Sequence, residues 1–232
     1  MCGRFVATTS PTALAEVFDA EPPELELPPR YNVAPTTDVY GVVATGGARR
    51  IEVFRWGLVP SWAKDVSIGN RLINARAETL AEKPSFASSF ARRRLLVPMA
   101  GFYEWQAPAA PRGPKRPVFV HRHDGAPIAV AGLWSAWRDP SVVDGAAWLH
   151  TCTLVTTTAN RLMAPVHDRM PVVLEREHWD EWLDPSNHDT GSLTDLLRPA
   201  ADGLLTLYEV STEVNRVQHD GDRKSTRLNS SH

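Results

Sequence analysis

The feature that most constrains this chain is a series of seven strand-like runs interrupted by only four short helical ones. The strand-like runs are 39–44, 50–55, 95–99, 118–123, 128–134, 148–157 and 205–211, bounded by turn-forming residues. Residues 12–18, 85–94, 176–183 and 192–197 read as helices. The first follows Ser10-Pro11, a capping hydroxyl and a first-turn proline, and sets Leu14, Val17 and Phe18 on one side. Thr45-Gly46-Gly47-Ala48 joins the first two strand-like runs into a predicted hairpin. The stretch 21–29 holds four prolines and reads as an extended loop. Strands outnumber helices and do not alternate regularly with them, so the pattern favours α+β over a doubly wound sheet.

No Gly/Ser-rich or charged linker divides the 232 residues, and 43% of them are hydrophobic, enough for one core. The expected arrangement is a single domain over 1–221. The tail 222–232 is polar and aperiodic, with three cations against one acid, and reads as disordered or non-native. A formal net charge of -2 says nothing for or against nucleic acid, so a DNA site would have to be a local basic patch. With no charged-then-apolar leader and no membrane-length apolar run, the expectation is a cytoplasmic protein without membrane contact. Two cysteines, Cys2 and Cys152, make no disulfide framework. His121 with His123, and His150 with Cys152, share strand faces but lack third and fourth ligands, so no metal is expected.

Chemistry enters at Met1-Cys2-Gly3. Initiator Met is normally removed before a small residue, which makes Cys2 the N-terminus. Its amine (reference pKa about 7.7–8.0) and thiol then sit on adjacent carbons. The amine condenses with an aldehyde to a Schiff base, and the thiol closes a five-membered thiazolidine. Two other readings stand beside this one at position 2: an incidental buried cysteine, and the nucleophile of an N-terminal amidohydrolase such as a glutamine amidotransferase. The latter class needs a Gly-His-x-Arg type segment and an Asn-Gly pair, and neither is present.

Further segments narrow the choice: Met1-Cys2-Gly3-Arg4-Phe5, Arg30-Tyr31-Asn32-Val33-Ala34-Pro35, Arg55-Trp56-Gly57-Leu58-Val59-Pro60-Ser61-Trp62, Ile73-Asn74-Ala75-Arg76-Ala77-Glu78-Thr79, Gly101-Phe102-Tyr103-Glu104-Trp105 and His167-Asp168-Arg169-Met170-Pro171. At these residues the chain closely resembles the SOS-response-associated-peptidase (SRAP) family of abasic-site shielding proteins. The resemblance runs from Met1 to about Asp220. It implies a largely antiparallel, barrel-like β core with peripheral short helices, and a covalent trap for abasic-site aldehydes in single-stranded DNA. Cys2 is then the nucleophile and Asn74 aligns its amine. Glu104 shuttles protons, and His167 protonates the sugar ring oxygen to favour the open aldehyde. Arg4 and Arg76 are expected phosphate anchors, with Trp62 and Trp56 as base-stacking or wedging groups. Arg92 to Arg94 reads as a solvated helix end. No cofactor is expected, and the chain should act as a monomer. The family name also implies peptidase-like chemistry, which the residues support only as removal of what precedes Cys2. A non-covalent single-strand binder, with Cys2 incidental, is the remaining alternative class.

Overall fold

The computed structural model describes residues 2–108, 113–142, 145 and 147–217, so the tail 222–232 lies outside the described residues. Among the described residues thirteen strands run in order: β1 (Arg4–Ala7), β2 (Ala20–Glu21), β3 (Arg30–Val33), β4 (Asp38–Thr45), β5 (Ala48–Trp56), β6 (Asn74–Arg76), β7 (Arg94–Met99), β8 (Gly101–Gln106), β9 (Arg116–Arg122), β10 (Ile128–Trp137), β11 (Leu149–Thr158), β12 (Arg169–Pro171) and β13 (Leu205–Glu209). The helices are short: α1 (Pro11–Phe18), α2 (Ala87–Arg92), α3 (Trp179–Leu183) and α4 (Thr190–Asp195). No helix is long and apolar enough to cross a membrane among the described residues.

Local chemistry sets the first elements as expected. The Ser10 hydroxyl accepts the Ala13 N–H at 3.3 Å, Pro11 opens α1, and Asp19 ends it in the left-handed region at φ 48°. Leu14 and Phe18 are the buried members of its inner stripe. The β4–β5 hairpin pairs Thr45 with Ala48 across Gly46 and Gly47, whose φ values of 62° and 84° suit the tight turn that matches strand twist.

Five strands close a ring. β4 pairs antiparallel with β5 and β7, β7 with β10, and β10 with β11, while β11 returns to β5 in parallel. The barrel-like core is therefore real, with one parallel seam in an otherwise antiparallel circuit. A second, antiparallel sheet is ordered β13-β9-β8-β1-β3. Alternation along each ring strand divides the core in two. Val42, Ile51, Leu96, Leu133 and Val155 face outward beneath the helices, against Phe18, Trp179, Trp182 and Leu193. Phe54, Leu95, Val97, Cys152 and Leu154 face inward and run on into Phe5, Phe102 and Val120 of the second sheet. Cys152 packs there as a small hydrophobe, as expected.

Arg94 is the clearest departure from the sequence reading. The expected helix over 85–94 is helical only at Ala87–Arg92, and Arg94 opens β7 instead. Its side chain is buried rather than solvated. The guanidinium donates to the carbonyls of Trp182 (2.6 Å), Phe90 (2.8 Å), Asn187 (3.1 Å) and Asp184. One cation thus satisfies carbonyl groups left over at the ends of α2 and α3.

Candidate active site

The site is organised by the end of β11. One long edge of that strand is covered first by β5 and then by β6. Gly57 N–H donates to the Cys152 carbonyl at 2.8 Å, and Leu154 N–H donates to Ile73 at 3.1 Å. Between those two contacts residues 58–72 leave as a loop. Gly57, at φ 128°, and Gly69 close its neck so tightly that a Cβ on Gly57 would lie 2.6 Å from the Gly69 carbonyl oxygen. The loop presents Trp62, 58% exposed.

On the other edge β10 and β11 separate, and the β12 segment is inserted between them. Val172 N–H donates to Val155 O, and Ala131 N–H donates to Val172 O, both at 2.9 Å. The registers place Asn74 opposite Leu154, Arg76 opposite Thr156, and Arg169 opposite Thr158. Segments separated by almost a hundred residues therefore meet at one strand end. Arg169 fastens them. Its guanidinium grips Glu78 through both nitrogens (2.5 and 2.9 Å) and donates to Thr156 O at 2.6 Å. The Arg169 hydrogen bonding to Glu78 is the main reason its carboxyl is held below its ordinary value.

Cys2 sits fully buried against this frame. The Asn74 side-chain amide donates to the Cys2 carbonyl at 2.8 Å, while its own Oδ1 is buried with no hydrogen-bond partner among the described residues. Beneath lies Trp56, completely enclosed, its indole N–H on Ile73 O at 2.9 Å and its ring 5.1 Å from that of Phe5. The expectation that Trp56 stacks on a base is corrected by this burial: no ring face is available, and Trp56 is part of the floor. Glu104 is also buried, on β8 beside β1, where Arg4 pairs with Tyr103. The Cys2 thiol is pushed well above the ordinary range by burial, and the nearby Glu104 charge pushes it further.

His167 presents two demands on one nitrogen. Arg169 N–H points at Nδ1 from 3.0 Å, which requires a lone pair, while Asp168 Oδ1 lies 2.7 Å from the same atom, which requires a proton. Asp168 is 86% exposed, where ion pairs are weak, so the backbone contact is the firmer constraint. It assigns the neutral ring's proton to Nε2 and makes that nitrogen the donor.

Arg4 has an internal role that the sequence did not announce. Its Nη1 donates to Asn32 Oδ1 (3.1 Å) and to Val214 O (3.2 Å). Asn32, fully buried, donates to Val214 O (3.2 Å) and Arg216 O (3.1 Å), and the Trp105 indole donates to Asn215 Oδ1 at 2.7 Å. Residues 212–216 are thereby strapped across the start of the chain. Arg76 projects exposed beside Asn74. Thus Cys2, Asn74 and Glu104 come together, His167 is tied through Arg169 to the same strand end, and Trp62 hangs from the adjoining loop.

A large cavity lies elsewhere, between α1, the β4–β5 turn and α3, with a volume of about 1350 Å³. Its lining includes Glu16, Asp19, Glu21, Asp180, Glu181 and Asp184 and none of the residues around Cys2. Such an acidic cleft repels a phosphate backbone, and size alone does not make it the reaction site.

Burial of the thiols carries a pH consequence. Cys152, like Cys2, is raised by burial, so the folded state keeps a proton that the unfolded chain releases near the ordinary value of 9.0. This contribution to stability is intact below that pH and is lost as pH rises beyond it. Urea midpoints are therefore expected to fall between pH 8 and pH 10, and Cys152→Ala should shrink that drop whatever its offset at pH 8. An unchanged drop would remove Cys152 as a cause.

The chain belongs to the SOS response associated peptidase (SRAP) family, whose model matches residues 1–217. Among its relatives is the abasic site processing protein YoqW of Bacillus subtilis, 40% identical over 222 residues, covering 95% of this chain and 96% of that protein. The abasic site processing protein YedK of Escherichia coli is 31% identical over 189 residues, 79% of each chain. A crystal structure of a Bacteroides thetaiotaomicron protein superposes with a TM-score of 0.81 at 25% identity, covering 91% of this chain and 93% of that one.

Proposed function

We propose that this protein processes abasic sites in single-stranded DNA by bonding covalently to the lesion's aldehyde through the mature N-terminus, Cys2. The observation that carries the reading is Asn74. It pins the Cys2 carbonyl, while its Oδ1, without a partner among the described residues, would receive the amine that Met1 removal frees. Hydrolysis of the Met1–Cys2 bond is the self-processing step that the family's peptidase description fits.

His167 Nε2–H hydrogen-bonds the ring oxygen of the closed sugar, which takes up the C1 hydroxyl's proton through water as the C–O bond breaks and the aldehyde is released. The Cys2 amine adds to the carbonyl carbon, and the carbinolamine loses water to give an imine, with Glu104 carrying protons in and out. The amine acts first because the buried thiol holds its proton. Glu104 then takes that proton as sulfur adds to the imine carbon, and a proton returns to nitrogen, closing the thiazolidine with no net loss of atoms. The imine stage also makes β-elimination of the strand available, and ring closure suppresses it.

Arg4 and Arg76 contact phosphates and Trp62 stacks on a neighbouring base, so binding should be salt-dependent and largely indifferent to sequence. The protein acts as a monomer. The test is denaturing gel electrophoresis of purified protein with single strands bearing one abasic site, beside an undamaged strand and a lesion within continuous duplex. A denaturation-resistant band restricted to the abasic single strand is expected. Its absence, with mature Cys2 verified by mass spectrometry, would leave a non-covalent binder.

A further inference from the structure

The ring's inward face is apolar along most of its length, but its character changes at the end away from Cys2. The β5 alternation that puts Phe54 and Trp56 inside brings the half-buried Glu52 and the exposed Arg50 to the same side, at the ring's mouth. Phe54 plugs the ring, crowded so closely that a Cβ on Gly41 would fall 2.8 Å from its ring. Above this plug, His150 lies 5.9 Å from the Phe54 ring and 5.5 Å from Trp134, and Phe54 and Trp134 are 5.8 Å apart. Glu52 is bridged to Arg50 at 2.7 Å and has His150 Nδ1 at 3.8 Å from its second oxygen. Arg50, Glu52, Trp134 and His150 line a cavity of about 310 Å³ together with Arg92 and Arg94.

Polar side chains turned into a ring mouth, beneath which aromatic rings form a floor, are what a ligand site at such a mouth requires. We propose that this mouth binds a nucleotide, with a guanine base against Trp134 and His150 and its phosphate at Arg92. The ligand class follows by elimination. One carboxylate already bridged to a guanidinium, plus one imidazole, is too few groups to hold a metal. An aliphatic ligand would strip water from the Glu52–Arg50 pair and return no hydrogen bond, and a bare anion would meet the arginines but leave the aromatic floor uncovered. A planar base satisfies all three features. Guanine in particular offers two adjacent N–H donors to a single carboxylate, and an acceptor to the neighbouring Arg50. The cavity has room for one nucleotide. The site stands apart from the lesion chemistry, and none of its residues is used there.

One ligand chemistry admits two sources, a free nucleotide or a guanine within a strand. Isothermal titration with deoxyguanosine 5′-monophosphate, deoxyguanosine, and an undamaged guanine-containing hexamer separates them. Saturable binding of the monophosphate is expected, at least tenfold weaker in Glu52→Gln. Arg92→Ala should weaken the monophosphate several-fold and leave the nucleoside unchanged. If a strand is the source, the hexamer loses affinity in Glu52→Gln and is displaced by the monophosphate; if not, the hexamer is indifferent to both. No saturable binding up to millimolar monophosphate, or equal binding by both variants and the parent, would overturn the site. Adduct formation at Cys2, measured in the same preparations, should be unaffected by Glu52→Gln, so the two proposals stand or fall separately.

Discussion

Cys2→Ala should abolish the denaturation-resistant adduct entirely while leaving the first half of the reaction in place. Alanine is also small enough for Met1 removal, so the variant still presents a terminal amine beside Asn74 Oδ1. The amine condenses, but no sulfur is present to add to the imine, and the imine hydrolyses or eliminates. Two readouts therefore move in opposite directions. Without reductant the gel shows no adduct; with borohydride, which saturates the C=N bond, a band returns. Strand scission at the lesion should rise at least several-fold, because the unclosed imine now lives long enough for β-elimination. The buried position makes an unfolding artefact improbable on size alone, since removing one sulfur from a packed site costs on the order of 1 kcal/mol, and a melting curve checks it. A stable adduct in Cys2→Ala would assign the bond to another nucleophile. Loss of the borohydride-trapped band as well would mean that the amine is not the attacking group.

How far the sequence foretold these residues depended on whether their neighbours were local. α1 and the β4–β5 hairpin are decided within a few residues, by Ser10, Pro11, Gly46 and Gly47, and both were legible. The long ring strands were legible too, because a run such as β11 buries seven consecutive positions and needs β-branched residues to do so. β1, β3, β6, β8 and β12 were not read as strands. They are three to six residues long, and three of them are strands mainly because β11 or β8 offers them an edge. These same short strands carry much of the chemistry, so the motifs were visible as residue types before they were visible as structure. Arg94, Arg169 and Asn32 show the other limit. Each is a buried polar group matched to carbonyls or a carboxylate far along the chain, and nothing local distinguishes such a residue from a solvated one. Trp56 and Trp62 sit in one motif yet have opposite fates, because Gly57 turns the backbone out of the ring between them.

Asn74 offers the sharpest test of the site's geometry, because its two ends do different things. Nδ2 holds the Cys2 carbonyl, and Oδ1, without a partner among the described residues, would orient the amine in the proposed reaction. Asn74→Ala removes both. A hydrogen bond to a group that becomes charged is worth about 1.5–3 kcal/mol, and small misplacements of a reacting group cost about 10²-fold. Single-turnover crosslinking should therefore slow about 100-fold. Affinity for the strand should hardly change, because phosphate contacts dominate it; a strand carrying a tetrahydrofuran lesion, which has no aldehyde, measures this without reaction. Asn74→Asp divides the two functions. It keeps an oxygen for the amine but turns a carboxylate towards the Cys2 carbonyl oxygen, where the two repel. If fixing the backbone matters most, Asn74→Asp will be as slow as Asn74→Ala; if orienting the amine matters most, Asn74→Asp will recover much of the parent rate. A parent-like rate in Asn74→Ala would reduce this residue to a structural bridge. A loss of strand affinity matching the loss of rate would make it a DNA contact instead.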